Sequence, residues 1–327
     1  MAQVFHFSGV WSSSMSALLV AISTSLTAVV GATLPPAPQV ITWLYTKNLK
    51  KASSWLDNVV GLPVAYDGGS HPAPGYSDCK IHRGSSAEFF LGVCDIRDPP
   101  TSMNEASVTV TLVAQNGRSG VDAWYKHLAS KGRGRVNVTE PSYSPKFNCY
   151  DFNFYDVASD GLALYRFEVQ VFEDPAWPKP KSSQLTGTPL LAPQQVTWFY
   201  TQDLPRSTKL LEDELHFPVV LDQGPCTIHS YPGSASYFLG VCNSRPAPTG
   251  IPPVMYSLVV PSASDVKDWH KLLSRNLTVS QPQEVPRYEI FAFTFADDDK
   301  SRLGWYRFEC LHMENPSWPH LSHAVVV

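Results

Sequence analysis

Charge is scarce in this 327-residue chain: Asp, Glu, Lys and Arg make up 17% of it, and the formal net charge is -4. That balance gives no general attraction to nucleic acid or to anionic membranes. The basic stretch Lys131-Gly-Arg-Gly-Arg135 reads as a short solvated loop. A Gly-rich phosphate loop, a nucleotide fingerprint and a serine-hydrolase elbow with a matching triad are all lacking. The six cysteines form no close Cys-x-x-Cys pair, which disfavours a Cys-based zinc site. The most apolar run, Ala17 to Val30, is shorter than the roughly 20 residues a bilayer requires, so stable membrane insertion is not expected.

That run has another use. It is broken only by small hydroxyl residues, Val30-Gly-Ala32 offers the small side chains a signal peptidase needs, and Pro35-Pro36 stops any helix. A secretory signal over residues 1–32 is therefore expected, with a buried amino-terminal helix as the alternative. Met1–Ser14 contains no Lys or Arg, and a start at Met15 would make a more compact signal. Secretion agrees with two N-glycosylation acceptors, Asn137-Val-Thr139 and Asn276-Leu-Thr278. It also agrees with the pairs Cys79/Cys94 and Cys226/Cys242, each flanking a hairpin-like segment that an oxidising compartment would allow to be bridged. Cys149 and Cys310 either pair with each other or stay buried thiols.

What the chain does have, it has twice. Thr42-Trp-Leu-Tyr-Thr46 returns as Thr197-Trp-Phe-Tyr-Thr201, and Cys79-Lys-Ile-His82 as Cys226-Thr-Ile-His229. Phe90-Leu-Gly-Val-Cys94 returns as Phe238-Leu-Gly-Val-Cys242, and Tyr165-Arg-Phe-Glu168 as Tyr306-Arg-Phe-Glu309. Both copies close on a similar tail, Glu173-Asp-Pro-Ala-Trp-Pro178 and Glu314-Asn-Pro-Ser-Trp-Pro319. A repeat is a physical folding unit, so the duplication bears on architecture first. Alternation and helical spacing divide each copy into two β-α-β-β-β modules. The fold class is α+β: four modules paired into two domains, each a cup-shaped mixed sheet with helices outside. The expected boundaries are 39–178 for domain 1, 179–193 for a Pro/Ser/Thr-rich linker, 194–319 for domain 2 and 320–327 for a tail.

The first strand followed by Asn48-Leu-Lys-Lys-Ala-Ser-Ser-Trp-Leu-Asp-Asn-Val-Val-Gly-Leu-Pro63 resembles the opening of vicinal-oxygen-chelate proteins. These are the glyoxalase, bleomycin-resistance and extradiol-dioxygenase superfamily. Gly120–Gly132 resembles the helix of that family's second module, and Phe154 to Gln170 its closing turn and strand. The likeness covers about residues 39–175 and 194–317. It implies a divalent metal held by His or Gln on a first strand, His on the first strand of the second module, and Glu on a last strand. Glu168 and Glu309 match the last-strand carboxylate. Neither Ile41-Thr-Trp-Leu-Tyr45 and Val196-Thr-Trp-Phe-Tyr200 nor Val108-Thr-Val-Thr-Leu112 and Val254-Met-Tyr-Ser-Leu258 offers a His, Asp or Glu. No metal or other cofactor is therefore expected; a divalent metal with rearranged ligands, using His82, is the alternative.

Candidate catalytic groups are Glu168 and Glu309, His82 and His229, Tyr45 and Arg166; each Glu and His also has a purely structural reading. Trp43, Tyr45, Trp198, Tyr200 and Arg307 are candidates for substrate contact. On a strand Trp43 and Tyr45 share one face, as do Trp198 and Tyr200. That face either lines the cup or packs under the helices. The leading expectation is a secreted, cofactor-free isomerase, cyclase or lyase acting on a hydrophobic, oxygenated molecule, a pericyclic cyclase of secondary metabolism being one form of it. A small-molecule binding or sequestration protein and a metal-dependent glyoxalase- or dioxygenase-like enzyme are the alternatives. The expected partner is a small hydrophobic or aromatic ligand, with intramolecular domain pairing and the option of a homodimer.

Overall fold

In module 1, strand β1 (Gln39–Tyr45) leads into helix α1 (Leu49–Trp55) and then β2 (Val64–Asp67), β3 (Cys79–Arg83) and β4 (Phe89–Cys94). The computed structural model describes residues 34–67, 79–180 and 192–321, so the expected signal segment, most of the linker and most of the tail lie outside the described residues. The Asn48 side chain accepts from the Lys51 amide and starts α1, while Gly61 at φ +85 ends the helical stretch. Module 2 holds helix α2 (Met103–Ala106), β5 (Val108–Val113), α3 (Gly117–Lys131), β6 (Val136–Val138), β7 (Ser142–Ser144), β8 (Cys149–Asp156) and β9 (Arg166–Phe172). Module 3 is β10 (Gln194–Tyr200), α4 (Leu204–Asp213), β11 (Val219–Asp222), β12 (Cys226–His229) and β13 (Tyr237–Cys242). Module 4 is β14 (Val254–Val259), α5 (Ala263–Leu273), β15 (Thr278–Val279), β16 (Gln283–Val285), β17 (Ile290–Ala296) and β18 (Arg307–Met313).

Strand pairing does not follow the two sequence copies. Sheet A runs β15-β17-β18-β14-β1-β4-β3-β2, joining module 1 to module 4. Sheet B runs β11-β12-β13-β10-β5-β9-β8-β6, joining module 3 to module 2. The fold is the expected one, paired β-α-β-β-β modules, but the contiguous domains 39–178 and 194–319 are replaced by interleaved ones. The physical reason lies in strand chemistry. The first strands β5 and β14 both begin with Val, carry a hydroxyl residue at the fourth position and close on Leu-Val, so either can satisfy the edge of β1. The closing tails are pinned accordingly. The Trp318 indole donates to Gln39 Oε1 at 3.0 Å, holding the tail of module 4 on β1. Trp177 donates to Gln194 Oε1 at 2.9 Å and holds the tail of module 2 on β10. Trp124 and Trp269 are buried on α3 and α5, which cover β8–β9 and β17–β18.

Both sheets lie within the unit that begins at Pro35, and they pack through their outer faces. The Thr42 and Thr197 hydroxyls, equivalent in the repeat, meet at 2.7 Å. Phe199 of β10 stacks edge-on against Tyr256 of β14 and tilts against Phe308 of β18. The duplicated tyrosines lock this contact. Tyr165 accepts from the Tyr45 amide and donates to the Pro253 carbonyl, and Tyr306 accepts from the Tyr200 amide and donates to the Ser107 carbonyl. A buried hydroxyl satisfying two main-chain groups of the opposite sheet explains why Tyr165 and Tyr306 recur. The Cys79–Cys94 and Cys226–Cys242 disulfides bridge β3 to β4 and β12 to β13. Cys149 and Cys310 are buried free thiols in different sheets.

Candidate functional site

Each sheet curls into a cup whose floor is built from β1 and its partners, or from their counterparts in sheet B. Trp43 and Tyr45 line the sheet-A cup together with Ile81, Met255, Ile290, Glu309, Leu311 and Met313. The Trp43 ring rests on Gly92, where a Cβ would fall inside the ring; this is why Phe-Leu-Gly-Val-Cys is repeated. Its indole N–H donates to Ser257 Oγ at 2.8 Å, and Ser257 Oγ donates to Glu309 Oε2 at 2.6 Å. Glu309 is 9% exposed, and burial lifts its carboxyl above the usual range, opposed by the Ser257 hydrogen bond and by Arg97. The Arg97 guanidinium lies 5.4 Å over the Tyr45 ring, and desolvation pushes the Tyr45 phenol up to about 12. The cavity measures about 180 Å³.

Sheet B repeats this chain of hydrogen bonds. Trp198, resting on Gly240, donates to Thr111 Oγ1 at 2.8 Å, and Thr111 donates to Glu168 Oε2 at 2.7 Å. Arg245 lies 5.7 Å over the Tyr200 ring, and the Tyr200 hydroxyl meets Thr109 Oγ1 at 2.7 Å. Burial and the neighbouring Asp151 push Glu168 up to about 7, opposed by Thr111 and Arg166. The cavity, about 320 Å³, is lined with polar groups, among them Asp151, Asn153 and Gln170.

The structure divides the candidate catalytic residues between the two sheets. Tyr45 and His82 belong to sheet A, whereas Arg166 and Glu168 belong to sheet B. Tyr45 shares its cup with Glu309, and Tyr200 shares its cup with Glu168. Trp43, Tyr45, Trp198 and Tyr200 all face cups. His82 and His229 face neither. His82 is fully buried with Nδ1 at 2.7 Å from the Leu62 carbonyl, and His229 Nδ1 is 2.9 Å from the Phe217 carbonyl. Both sit opposite the cup-facing isoleucine in the strand alternation, and desolvation lowers both below the ordinary imidazole range. Arg166 lines a cavity that adjoins the sheet-B cup. Arg307 donates to the Gly304 and Tyr306 carbonyls instead of entering the sheet-A cup. Asn137 and Asn276 are exposed, the latter donating to the Glu214 carboxylate. Ser257, Thr111, Arg97 and Arg245 escaped sequence reading, although Arg97 and Arg245 each stand three residues after a repeated cysteine.

The residues at the floor do not suit a divalent cation. An indole N–H donates and has no lone pair for a metal, and each Ser or Thr hydroxyl is committed to its Glu. His82, the rearranged ligand that was an option for Glu168, stands in the other sheet. No cluster of three or more His, Cys, Asp or Glu suited to a metal occurs among the described residues, and no helix among them is long and apolar enough to cross a membrane.

No family model matches the chain, and no curated protein matches it significantly. Solved structures do. A Bacillus subtilis protein provisionally assigned as a dioxygenase superposes with a TM-score of 0.59 at 13% identity, covering 86% of this chain and 87% of that one. Glyoxalase I from Zea mays superposes with a TM-score of 0.55 at 13% identity, over 83% of this chain and 91% of its own. A Glu-to-Gln point mutant of that maize enzyme gives a TM-score of 0.56 at 13% identity, over 83% and 92%. At these identities the likeness concerns fold alone. The chain has the vicinal-oxygen-chelate fold in tandem, with a Trp–hydroxyl–Glu hydrogen-bond chain at the floor of each cup.

Proposed function

We propose that the protein is a metal-independent enzyme that moves a proton on a largely apolar, oxygenated small molecule held in the sheet-A cup. The observation that carries this reading is Glu309, the one carboxyl among the described residues lining a mostly apolar cavity whose other charged group is Arg97. Because burial favours its neutral form, Glu309 suits the role of general acid. Its carboxyl proton passes to a substrate oxygen or carbon, and the resulting carboxylate takes a proton from a neighbouring carbon. The proton count is restored and no oxidant is needed, so isomerisation, cyclisation and elimination all fit. Trp43 offers a ring face for the substrate, and Tyr45 with Arg97 borders its polar end. Secretion with glycosylation at Asn137 and Asn276 belongs to the same proposal, supported by the exposure of both side chains and the two disulfides.

A binding or sequestration protein is the second reading, favoured by the absence of a second carboxyl among the described residues that line this cup. One experiment separates the two. The full chain and Glu309→Gln are purified from the same host, and the small molecules they carry are extracted and identified by mass spectrometry. An enzyme leaves substrate on Glu309→Gln, and the wild-type protein converts that extract into an isomer or elimination product. If the wild type carries the same molecule and leaves it unchanged, the protein binds without turnover.

A further inference from the structure

The duplication allows the two cups to be compared position by position, because strand register is preserved around the two glutamates. In sheet A, Glu309 pairs with Thr294, Leu311 with Ala292, and Met313 with Ile290. In sheet B, Glu168 pairs with Asn153, Gln170 with Asp151, and Phe172 with Cys149. Thus Asp151 stands where Ala292 does, Asn153 where Thr294 does, and Gln170 where Leu311 does. All three sheet-B side chains face the cavity. Sheet A shows that the architecture folds with small or apolar residues here, so the polar set is no requirement of the fold.

Two atoms of this set are left without a partner. Gln170 is 3% exposed, yet its Nε2 has no hydrogen-bond acceptor, and the buried Asn153 Oδ1 has no donor. A buried amide left unsatisfied is costly, and a ligand group in the cup would recover that cost. Asp151 receives only the Cys149 thiol, at 3.3 Å, among its hydrogen bonds. Arg245 lines the same cup with its guanidinium over the Tyr200 ring, and Arg166 faces the adjoining cavity. Asp151 and Glu168 on neighbouring strands share a cavity, and neither is in an ion pair among the described residues. Ser142, Ser144 and Ser244 add hydroxyls around them.

We propose that the sheet-B cup is a second ligand site, for a small hydroxylated amine. Its ammonium lies between Asp151 and Glu168, one oxygen accepts from Gln170 Nε2, and a hydroxyl donates to Asn153 Oδ1. Buried carboxyls outside an ion pair hold their protons tightly, and the directions for Asp151 and Glu168, both raised by burial, agree with this. A cavity of about 320 Å³ holds on the order of ten non-hydrogen atoms at roughly 30 Å³ each. This site does not depend on the reading of the sheet-A cup.

The test is ligand-observed NMR titration of the full chain with matched probes: glucosamine against glucose, serinol against glycerol, ethanolamine against ethylene glycol. At least one amine is expected to bind about tenfold tighter than its neutral partner, a difference of about 1.4 kcal/mol. The variant Asp151→Ala/Asn153→Thr/Gln170→Leu, which copies sheet A, should lose that preference while keeping the wild-type melting temperature. If it does not fold, Gln170→Leu alone should weaken the amine. Equal binding of amine and neutral partner, binding of no amine, or a preference that survives in the folded variant overturns the proposal. The molecule extracted with Glu309→Gln is an independent readout of the other cup.

Discussion

Replacing Glu168 by Gln should make the protein more stable at neutral and alkaline pH, and the gain should vanish in acid. The carboxyl titrates at about 7 in the folded chain against 4.5 for an ordinary glutamate. Folded protein therefore holds this proton more tightly than unfolded protein does. Below about pH 4.5 both states are protonated and Glu168 costs nothing. As pH rises from there to about 7, the unfolded chain releases its proton first and stability falls; above about 7 the loss levels off. Each tenfold difference in proton affinity is worth about 1.4 kcal/mol, so the full loss is about 3 kcal/mol. Gln keeps the shape and can still accept from Thr111, but it never ionises. Urea unfolding of both proteins, followed by tryptophan fluorescence, measures this as a difference in unfolding free energy between about pH 4 and about pH 8. Parallel pH profiles for the two proteins would show that Glu168 is not held neutral, and the electrostatic account of the sheet-B floor would fall.

Gly240→Ala places a methyl group inside the Trp198 ring and should destabilise the protein by about 1–3 kcal/mol, with the sheet-B cup reshaped because the indole must leave Thr111. Chemical denaturation together with the near-UV dichroism of the indole would check both effects. A protease site introduced between Lys181 and Leu191 should give, after cleavage, two fragments that remain together on gel filtration, since every central strand pair joins one half to the other. Separation into two folded halves would contradict the interleaved sheets.

Local structure was legible because local chemistry carried it. Alternation around Trp43 and Trp198, the helix-like spacing of Val121, Trp124 and Leu128, and the paired cysteines each became what they predicted. The short strands Val136–Val138 and Ser142–Ser144 were hidden by Pro141 and the loop around it. Module pairing was not legible, because β1 finds equivalent partners in β5 and β14; the choice is visible only in contacts such as Trp318 with Gln39. The floor glutamates stood out through the repeat. Their hydroxyl partners did not, since Thr111 and Ser257 differ in type and Ser or Thr on a strand is ordinary. The histidines carried a structural and a catalytic reading, and their contacts match the structural one: each imidazole ties down the segment before a strand, a need of the backbone and not of the cup.

The interleaving also orders the birth of the molecule. Sheet B is drawn from one continuous stretch, with its last strand ending at Cys242, whereas β1 of sheet A pairs across the chain, Gln39 opposite Val259. During synthesis the inner sheet has all its strands while β1 still lacks β14 and must wait with an unpaired edge. The first module is then held in reserve until the last is made, like an outer bracket closed at the end of a sentence. Distant pairing of this kind is slow and exposes sticky edges meanwhile. In this chain the hazard falls on residues 39–94, where the Cys79–Cys94 bridge can form within module 1 and limit how far that edge strays.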